Sequence, residues 1–192
     1  MDSMDGAIDY GTSLLAGTKI QLRETQETDV ARLAHWWNQP GTAIFQAESV
    51  KPRSTATIEQ MFRDWSGNGV DGAAAFSVVA KDSDELVGHV SMWGANVAVR
   101  CAELAIIIGD EHAGQGYGTD AVRVMTRYGF DELGLNRVEL RTWSFNTRAI
   151  ASYRKAGFVE EGRRRQVVFH QGRFYDQVFM GLLADEWREA AA

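Results

Sequence analysis

Apolar positions along the chain change period several times, and each change marks a boundary between elements. Lys19 to Arg23 alternates apolar and polar residues, the pattern of a half-buried strand. From Glu27 to Gln39 the residues Val30, Leu33, Ala34 and Trp37 recur at helical spacing behind Thr28, which can cap the helix. Gly41 to Arg53 has no sustained period and reads as an irregular loop, with Ile44 and Phe45 available to line something. Ser54 opens a second helix through Ile58, Met61, Phe62 and Trp65, and Gly67-Asn68-Gly69 ends it.

The middle of the chain reads as a strand meander. Ala74 to Ala80 is apolar, Lys81-Asp82-Ser83-Asp84 is a turn, and Leu86 to Trp93 returns as the hairpin partner. Cys101 to Ile108 is a third, largely apolar strand. Gly114-Gln115-Gly116-Tyr117-Gly118 then leads into a helix from Thr119 to Leu133, with Ala121, Val122, Met125, Tyr128 and Gly129 on one face. Val138 to Trp143 reads as a strand, Thr147 to Ala156 as a helix, and Phe158-Val159 opens another strand. A last hairpin runs from Arg165 to Phe169, turns at Gln171-Gly172, and returns as Phe174 to Leu183 ahead of a helix holding Trp187. Strands come first as hairpins and then alternate with helices, which predicts an α/β fold built on a mixed sheet.

Composition narrows this further. The chain has 192 residues, only two prolines, and no visible repeat or low-complexity linker. It reads as a flexible leader over 1–17 followed by a single domain over 18–192. The leader is acidic and lacks the form of a signal peptide. One cysteine forms no internal disulfide, so a reducing, cytoplasmic setting is expected. No apolar run approaches the ~20 residues of a membrane helix, so no membrane partner is expected. The four histidines show no ligand spacing, so no metal site is expected.

A net charge of −6 argues against a nucleic-acid partner, which requires phosphate-neutralising surface. The charge is unevenly spread. From Arg137 to Arg173 there are nine basic and three acidic residues, a local excess of six. A basic pocket in an acidic protein suits a small polyanion; the other reading is a solvated charged face.

The segment Ala105-Ile106-Ile107-Ile108, Gly114-Gln115-Gly116-Tyr117-Gly118, Thr119 is the most informative one. Glycines let a backbone approach a ligand closely, and a helix N-terminus aims free N–H groups at an anion such as a pyrophosphate. Walker A would need Gly-Lys-Ser/Thr at the loop end, where Gly118-Thr119-Asp120 stands. A Rossmann G-x-G-x-x-G counted from Gly114 would need glycine at Thr119 and an earlier place in the chain. A glycine-rich turn without a ligand remains open on this segment alone.

With Trp143-Ser144-Phe145-Asn146-Thr147-Arg148-Ala149-Ile150 and Tyr153-Arg154-Lys155-Ala156-Gly157-Phe158 behind it, this segment resembles the GNAT superfamily of acetyl-CoA-dependent N-acetyltransferases. Within it, the chain is most similar to the branch of ribosomal-protein N-terminal and spermidine acetyltransferases. The resemblance runs from about Thr18 to Leu183 and is densest from Ala102 to Gly162. It implies a GNAT-like sheet, mixed but mostly antiparallel, flanked by helices around a strand, glycine-loop and helix cofactor site. One departure stands out: the family usually has Gln or Arg at the place held by Ala113, so a side-chain contact to the phosphates is missing there.

The resemblance also implies roles for individual residues. Ile106, Ile107 and Ile108 would lie beside the pantetheine arm, which pairs with a splayed strand edge as an added strand does. The loop from Gly114 through Gln115, Gly116, Tyr117 and Gly118 to Thr119 would hold the pyrophosphate on backbone N–H groups. Asn146 would hydrogen-bond the cofactor arm, although a plain helix N-cap is an equal reading. Lys155 and nearby arginines would face the adenosine phosphates. A backbone N–H near Ile107 would polarise the thioester carbonyl.

Two side chains are candidates for the chemistry. Tyr153 shares a helix face with Ile150 and Ala149 and would give the departing thiolate its proton; the alternative is a core tyrosine. Glu103 is the one charge in Cys101 to Ile108, on a strand face with Ala105 and Ile107. It would take a proton from the acceptor ammonium, or else form a salt bridge with Arg100 or Arg141. The acceptor would be a primary amine: a small cationic amine such as a polyamine or aminoglycoside, or a peptide N-terminus. The acidic N-terminal half suits such a cation. Trp36, Trp37, Phe45 and Trp93 would either wall the acceptor cleft or serve as core, and Cys101 reads as a small core residue.

Two rivals to the enzyme reading are a non-catalytic acyl-CoA-binding module and a structural subunit with an empty loop. Phe169, Phe174, Tyr175, Val178, Phe179 and Met180 cluster around the last hairpin. An apolar sheet edge needs cover, which the leader, the Trp187 helix or a second copy could give; closed dimers being the commonest soluble oligomer, a homodimer with this hairpin at or near the interface is expected.

Overall fold

The computed structural model describes residues 3–95 and 98–191. Seven strands form one sheet in the order β1-β2-β3-β4-β5-β7-β6. They are β1 (Ile20–Arg23), β2 (Ala74–Ala80), β3 (Leu86–Trp93), β4 (Cys101–Ile108), β5 (Arg137–Trp143), β6 (Val159–His170) and β7 (Arg173–Leu183). Every neighbouring pair is antiparallel except β4 with β5. The expected mixed, mostly antiparallel α/β sheet is present.

Among the described residues, seven α-helices flank the sheet: α1 (Met4–Leu14), α2 (Glu27–Asn38), α3 (Pro40–Gln46), α4 (Thr55–Ser66), α5 (Tyr117–Asp131), α6 (Thr147–Lys155) and α7 (Ala184–Ala191). Strand alternation divides the core. Ala102 and Leu104 of β4 face the larger cluster, where α5 buries Ala121, Val122, Val124, Met125 and Phe130. Ile107 faces the opposite way, into a smaller cluster with Val30, Leu33 and Trp36 of α2 and Ile58 and Phe62 of α4. The strand that borders the site is thus packed from both sides.

Several boundaries differ from the sequence expectation. Within the segment read as a flexible leader, Met4–Leu14 is a helix that Ser3 caps. It buries no residue of its own. Arg127 Nη2 holds its C-terminal end and the chain just beyond, donating to the carbonyls of Ser13, Leu14 and Ala16 at 2.7–2.9 Å. Tyr10 donates to Glu132 at 2.6 Å. The loop expected over 41–53 begins as a short helix, because Pro40 at its first turn presets the backbone and Thr42 and Ala43 are buried. The helix expected from Thr119 starts two residues earlier, at Tyr117. The strands expected at Phe158-Val159 and Arg165 to Phe169 are one strand with two register shifts, and Gln166 takes a positive φ of 57° within the second, between Arg164 and Val168.

Candidate active site

The parallel pairing of β4 with β5 covers only Cys101–Arg137, Ala102–Val138 and Glu103–Glu139. Beyond it β4 stays on β3 as far as Ile108, and β5 stays on β7 as far as Trp143. The two strands therefore splay from Leu104 onward and leave an open edge on β4. Backbone direction on that edge follows from its ends. The Arg100 carbonyl accepts from Asn136 and Arg137, toward β5, whereas Gly109 N–H donates to Val87, toward β3. Alternation between these anchors turns Leu104, Ile106 and Ile108 toward the opening and Ala105 and Ile107 toward β3. Gln46 confirms the direction: its Nε2 reaches the Ile106 carbonyl at 3.2 Å.

The opening is part of a cleft of about 930 Å³. At one end lies the glycine loop. Gly116 is the N-cap of α5 at φ 90°, ψ −4°, a left-handed conformation that favours glycine. The first intrahelical bond of α5 runs from Asp120 N–H to the Gly116 carbonyl. The N–H groups of Tyr117, Gly118 and Thr119 thus precede the helical ladder and are free donors at the positive end of the helix dipole. Thr119 Oγ1 and Ser152 Oγ are 2.7 Å apart, tying α5 to α6 across the cleft wall.

Two acidic residues beside the loop, Asp120 and Glu111, are occupied elsewhere. The buried Asp120 carboxylate accepts from the Lys19 and Ile20 amides at 2.7 and 3.1 Å and from Thr18 Oγ1 at 3.1 Å. Glu111 accepts from Arg32 at 3.2 Å and from Trp36 Nε1 at 3.1 Å. Although burial opposes its charge, those hydrogen bonds and one from its own backbone hold its carboxyl below the usual range. Both carboxylates act as pins for the loop.

Most of the residues expected at the site meet here. Glu103, Ile106, Ile108, Gly114, Gly116, Tyr117, Gly118, Thr119, Asn146, Tyr153 and Lys155 all line the cleft. Ile107 and Gln115 do not. The Ile107 side chain is 4% exposed in the smaller core, and its backbone faces β3. On the cleft side the backbone N–H groups nearest Ile107 are those of Ile106 and Ile108, because a one-residue step along a strand reverses the side its N–H faces. The Gln115 side chain turns back to the Glu111 carbonyl at 3.2 Å.

Tyr153 is 9% exposed, with its ring 6.3 Å from Phe158. Burial pushes its phenol up to about 12, so it holds its proton throughout the neutral range. Asn146 caps α6 by accepting from Ala149 N–H at 3.2 Å on its Oδ1, and the residue also lines the cleft. Glu103 pairs with Arg141 Nε at 2.6 Å, one of its two expected ionic partners. Arg141 and Arg148 stand with Lys155 in the cleft wall, but Arg137, Arg154 and Arg163 are paired with Glu161 and Glu160 away from it. The basic segment thus divides between the cleft and a charged face.

Among the aromatic candidates, Trp37, Phe45 and Trp93 line the other end of the cleft and Trp36 is core. Sequence reasoning missed Gln46, Ser152 and Gln177 in the wall. Gln46 sits in a segment without period, and the others lack any local signature.

Comparison with known proteins agrees with this geometry. Residues 19–159 match the family described as the acetyltransferase (GNAT) domain. The putative ribosomal N-acetyltransferase YdaF of Bacillus subtilis is 32% identical over 178 residues, covering 88% of this chain and 93% of that protein. The spermidine N(1)-acetyltransferase of Vibrio cholerae is 32% identical over 117 residues, covering 61% of this chain and 68% of that one. A crystal structure of spermidine N-acetyltransferase from Vibrio cholerae, in complex with CoA and spermine, superposes with a TM-score of 0.78. It is 25% identical, covering 89% of this chain and 99% of its own. The chain belongs to the GNAT family, and it is an N-acetyltransferase that uses acetyl-CoA.

Proposed function

We propose that this protein transfers an acetyl group from acetyl-CoA to a primary amine by direct attack, with both substrates in the β4–β5 cleft. The observation that carries the reading is the splay itself, which opens a strand edge beside the free N–H groups of α5. Acetyl-CoA supplies the activated thioester. Tyr117, Gly118 and Thr119 N–H groups bind the pyrophosphate, and the β4 edge pairs with the pantetheine arm. Asn146 donates its amide NH₂ to that arm. Ile106 or Ile108 N–H holds the thioester oxygen as charge develops on it.

Three proton movements complete the reaction. An alkylammonium with a pKa of ~10 is neutral in well under about 1% of molecules at pH 7, so the attacking nitrogen must first lose a proton. Glu103 receives it, directly or through water, while Arg141 holds the carboxylate in place. As the carbon–nitrogen bond forms and the carbon–sulfur bond breaks, Tyr153 Oη gives its proton to the leaving sulfur, and the second proton shed by the acylated nitrogen as it becomes an amide restores the phenol. A phenol held up at about 12 is protonated before each turnover.

The acceptor is a cationic amine, either small, such as a polyamine or aminoglycoside, or a peptide N-terminus. Trp37, Phe45 and Trp93 offer aromatic faces, and Asp64 and Asp110 add carboxylates to the same cleft. The relatives named for spermidine and for ribosomal acetylation support this class. Mass spectrometry of a panel of polyamines, aminoglycosides and peptides with acetyl-CoA tests it. A mass gain on at least one primary amine is expected. Acetyl-CoA binding with no acetylated product from any of them would favour a non-catalytic binding module.

We also propose a homodimer that covers the β6–β7 hairpin. Phe169 and Phe174 face one another at 5.0 Å between ring centroids, and both are more than half exposed. Such an apolar pair on an edge hairpin calls for cover.

A further inference from the structure

The loop from Ala113 to Thr119 consists of Ala, Gly, Gln, Gly, Tyr, Gly and Thr, with no positive side chain. A helix N-terminus supplies only ~0.5 of an elementary charge. A pyrophosphate brings more negative charge than that, so the balance must come from outside the loop.

Lys19 stands in the right place. Its Nζ donates to the Gln115 carbonyl at 2.8 Å. A methyl group built on Gly116 would lie 3.6 Å from the same nitrogen. An ammonium has three donors, and among the described residues this contact uses one. The reach is fixed from behind, because Asp120 in the first turn of α5 accepts from the backbone N–H of Lys19. One carboxylate thereby sets the distance between the loop and the backbone from which Lys19 extends. The nearby Asp120 and Glu111 carboxylates are held by other donors, so they do not take the ammonium for themselves.

We propose that Lys19 is a further cofactor-binding residue, whose ammonium closes the outer side of the glycine loop on the pyrophosphate of acetyl-CoA. The inference rests on the donor-site reading given above. It extends the site to the entry of β1, 96 residues from its partner in sequence.

Calorimetric titration separates this role from a purely structural one. Acetyl-CoA and S-acetylpantetheine share the thioester arm, but only the first carries phosphates. Lys19→Gln retains a donor for the Gln115 carbonyl and removes the charge; Lys19→Arg keeps the charge. Lys19→Gln should weaken acetyl-CoA binding about tenfold and leave S-acetylpantetheine unchanged, as loss of one charge-assisted contact requires. Lys19→Arg should bind acetyl-CoA within about threefold of the parent. Ala113→Arg added to Lys19→Gln should recover most of the loss, and unliganded melting curves verify folding of each variant. Equal acetyl-CoA affinity in Lys19→Gln and parent would overturn the proposal. So would equal losses for both ligands, which would make Lys19 a brace for the loop. A parent chain that fails to bind acetyl-CoA at all would instead strike at the donor-site reading, and at this one with it.

Discussion

Lowering the pH from 7 to 5 should weaken this fold by about 2 kcal/mol through His89 alone. His89 lies in β3, 2% exposed, opposite Ile107 of the cleft strand. Its Nε2 is 2.9 Å from Ser66 Oγ, and its ring stands edge-on to Phe62 at 5.2 Å. Burial pulls its pKa from 6.5 down to about 4, with Asp29 opposing the shift weakly. Between those values the unfolded chain binds a proton that the folded chain refuses, so stability falls as pH falls. With pKa values of 6.5 unfolded and about 4 folded, the loss is near zero at pH 7 and about 2 kcal/mol at pH 5, roughly thirtyfold in the folding equilibrium. Asp29 contributes in a different window. Although burial opposes its charge, hydrogen bonds from Arg23, the Gln26 amide and Ser77 lower its pKa, so its stabilisation is lost only below the ordinary carboxylate range. Urea unfolding at pH 7 and pH 5 should therefore show the loss in the parent and a much flatter response in His89→Gln. The same pH-dependent loss in both proteins would refute the assignment.

Three further outcomes are expected. Gly116→Val forces a β-branched residue to φ 90°; the protein should fold with a lower melting temperature and lose its thermal stabilisation by acetyl-CoA. A parental ligand shift in that variant would remove the loop from the donor site. Glu103→Gln should slow turnover and move the pH–rate profile toward higher pH, whereas an unchanged profile would leave Glu103 as the ionic partner of Arg141 only. Light scattering should give a dimer mass for the parent and a monomer mass for Phe169→Asp/Phe174→Asp; a monomeric parent, or a dimer that survives the change, would reject the hairpin interface.

The core strands and the longer helices were legible because their periods run over seven or more residues and are bounded by Gly, Asn or Asp turns. Legibility failed where tertiary partners decide. Helix α1 has two internal glycines and buries nothing, and its C-terminal end is held by Arg127, more than 100 residues away. Helix α3 is only seven residues long and shows too few positions for a period. The cleft was legible in part: the glycine loop, Asn146 and Tyr153 stand at spacings that a sequence displays. The direction of Ile107 was not, because a strand's parity is set by where it pairs, and the bonds of Arg100 and Gly109 fix it here. Lys19 lies in a different part of the chain from the loop it meets. Glu103 had two arginines within plausible reach, and only the fold chose Arg141.

The most direct test of the proposed transfer is the turnover of Tyr153→Phe, followed as CoA thiol release with an accepted amine alongside the calorimetric affinity for acetyl-CoA. Removing one buried phenolic oxygen leaves the ring packing on Phe158 in place and takes away only the proton donor. The account predicts a fall in kcat of ~10²-fold or more with acetyl-CoA affinity unchanged. A variant that turns over at the parental rate would contradict it and leave Tyr153 as part of the core.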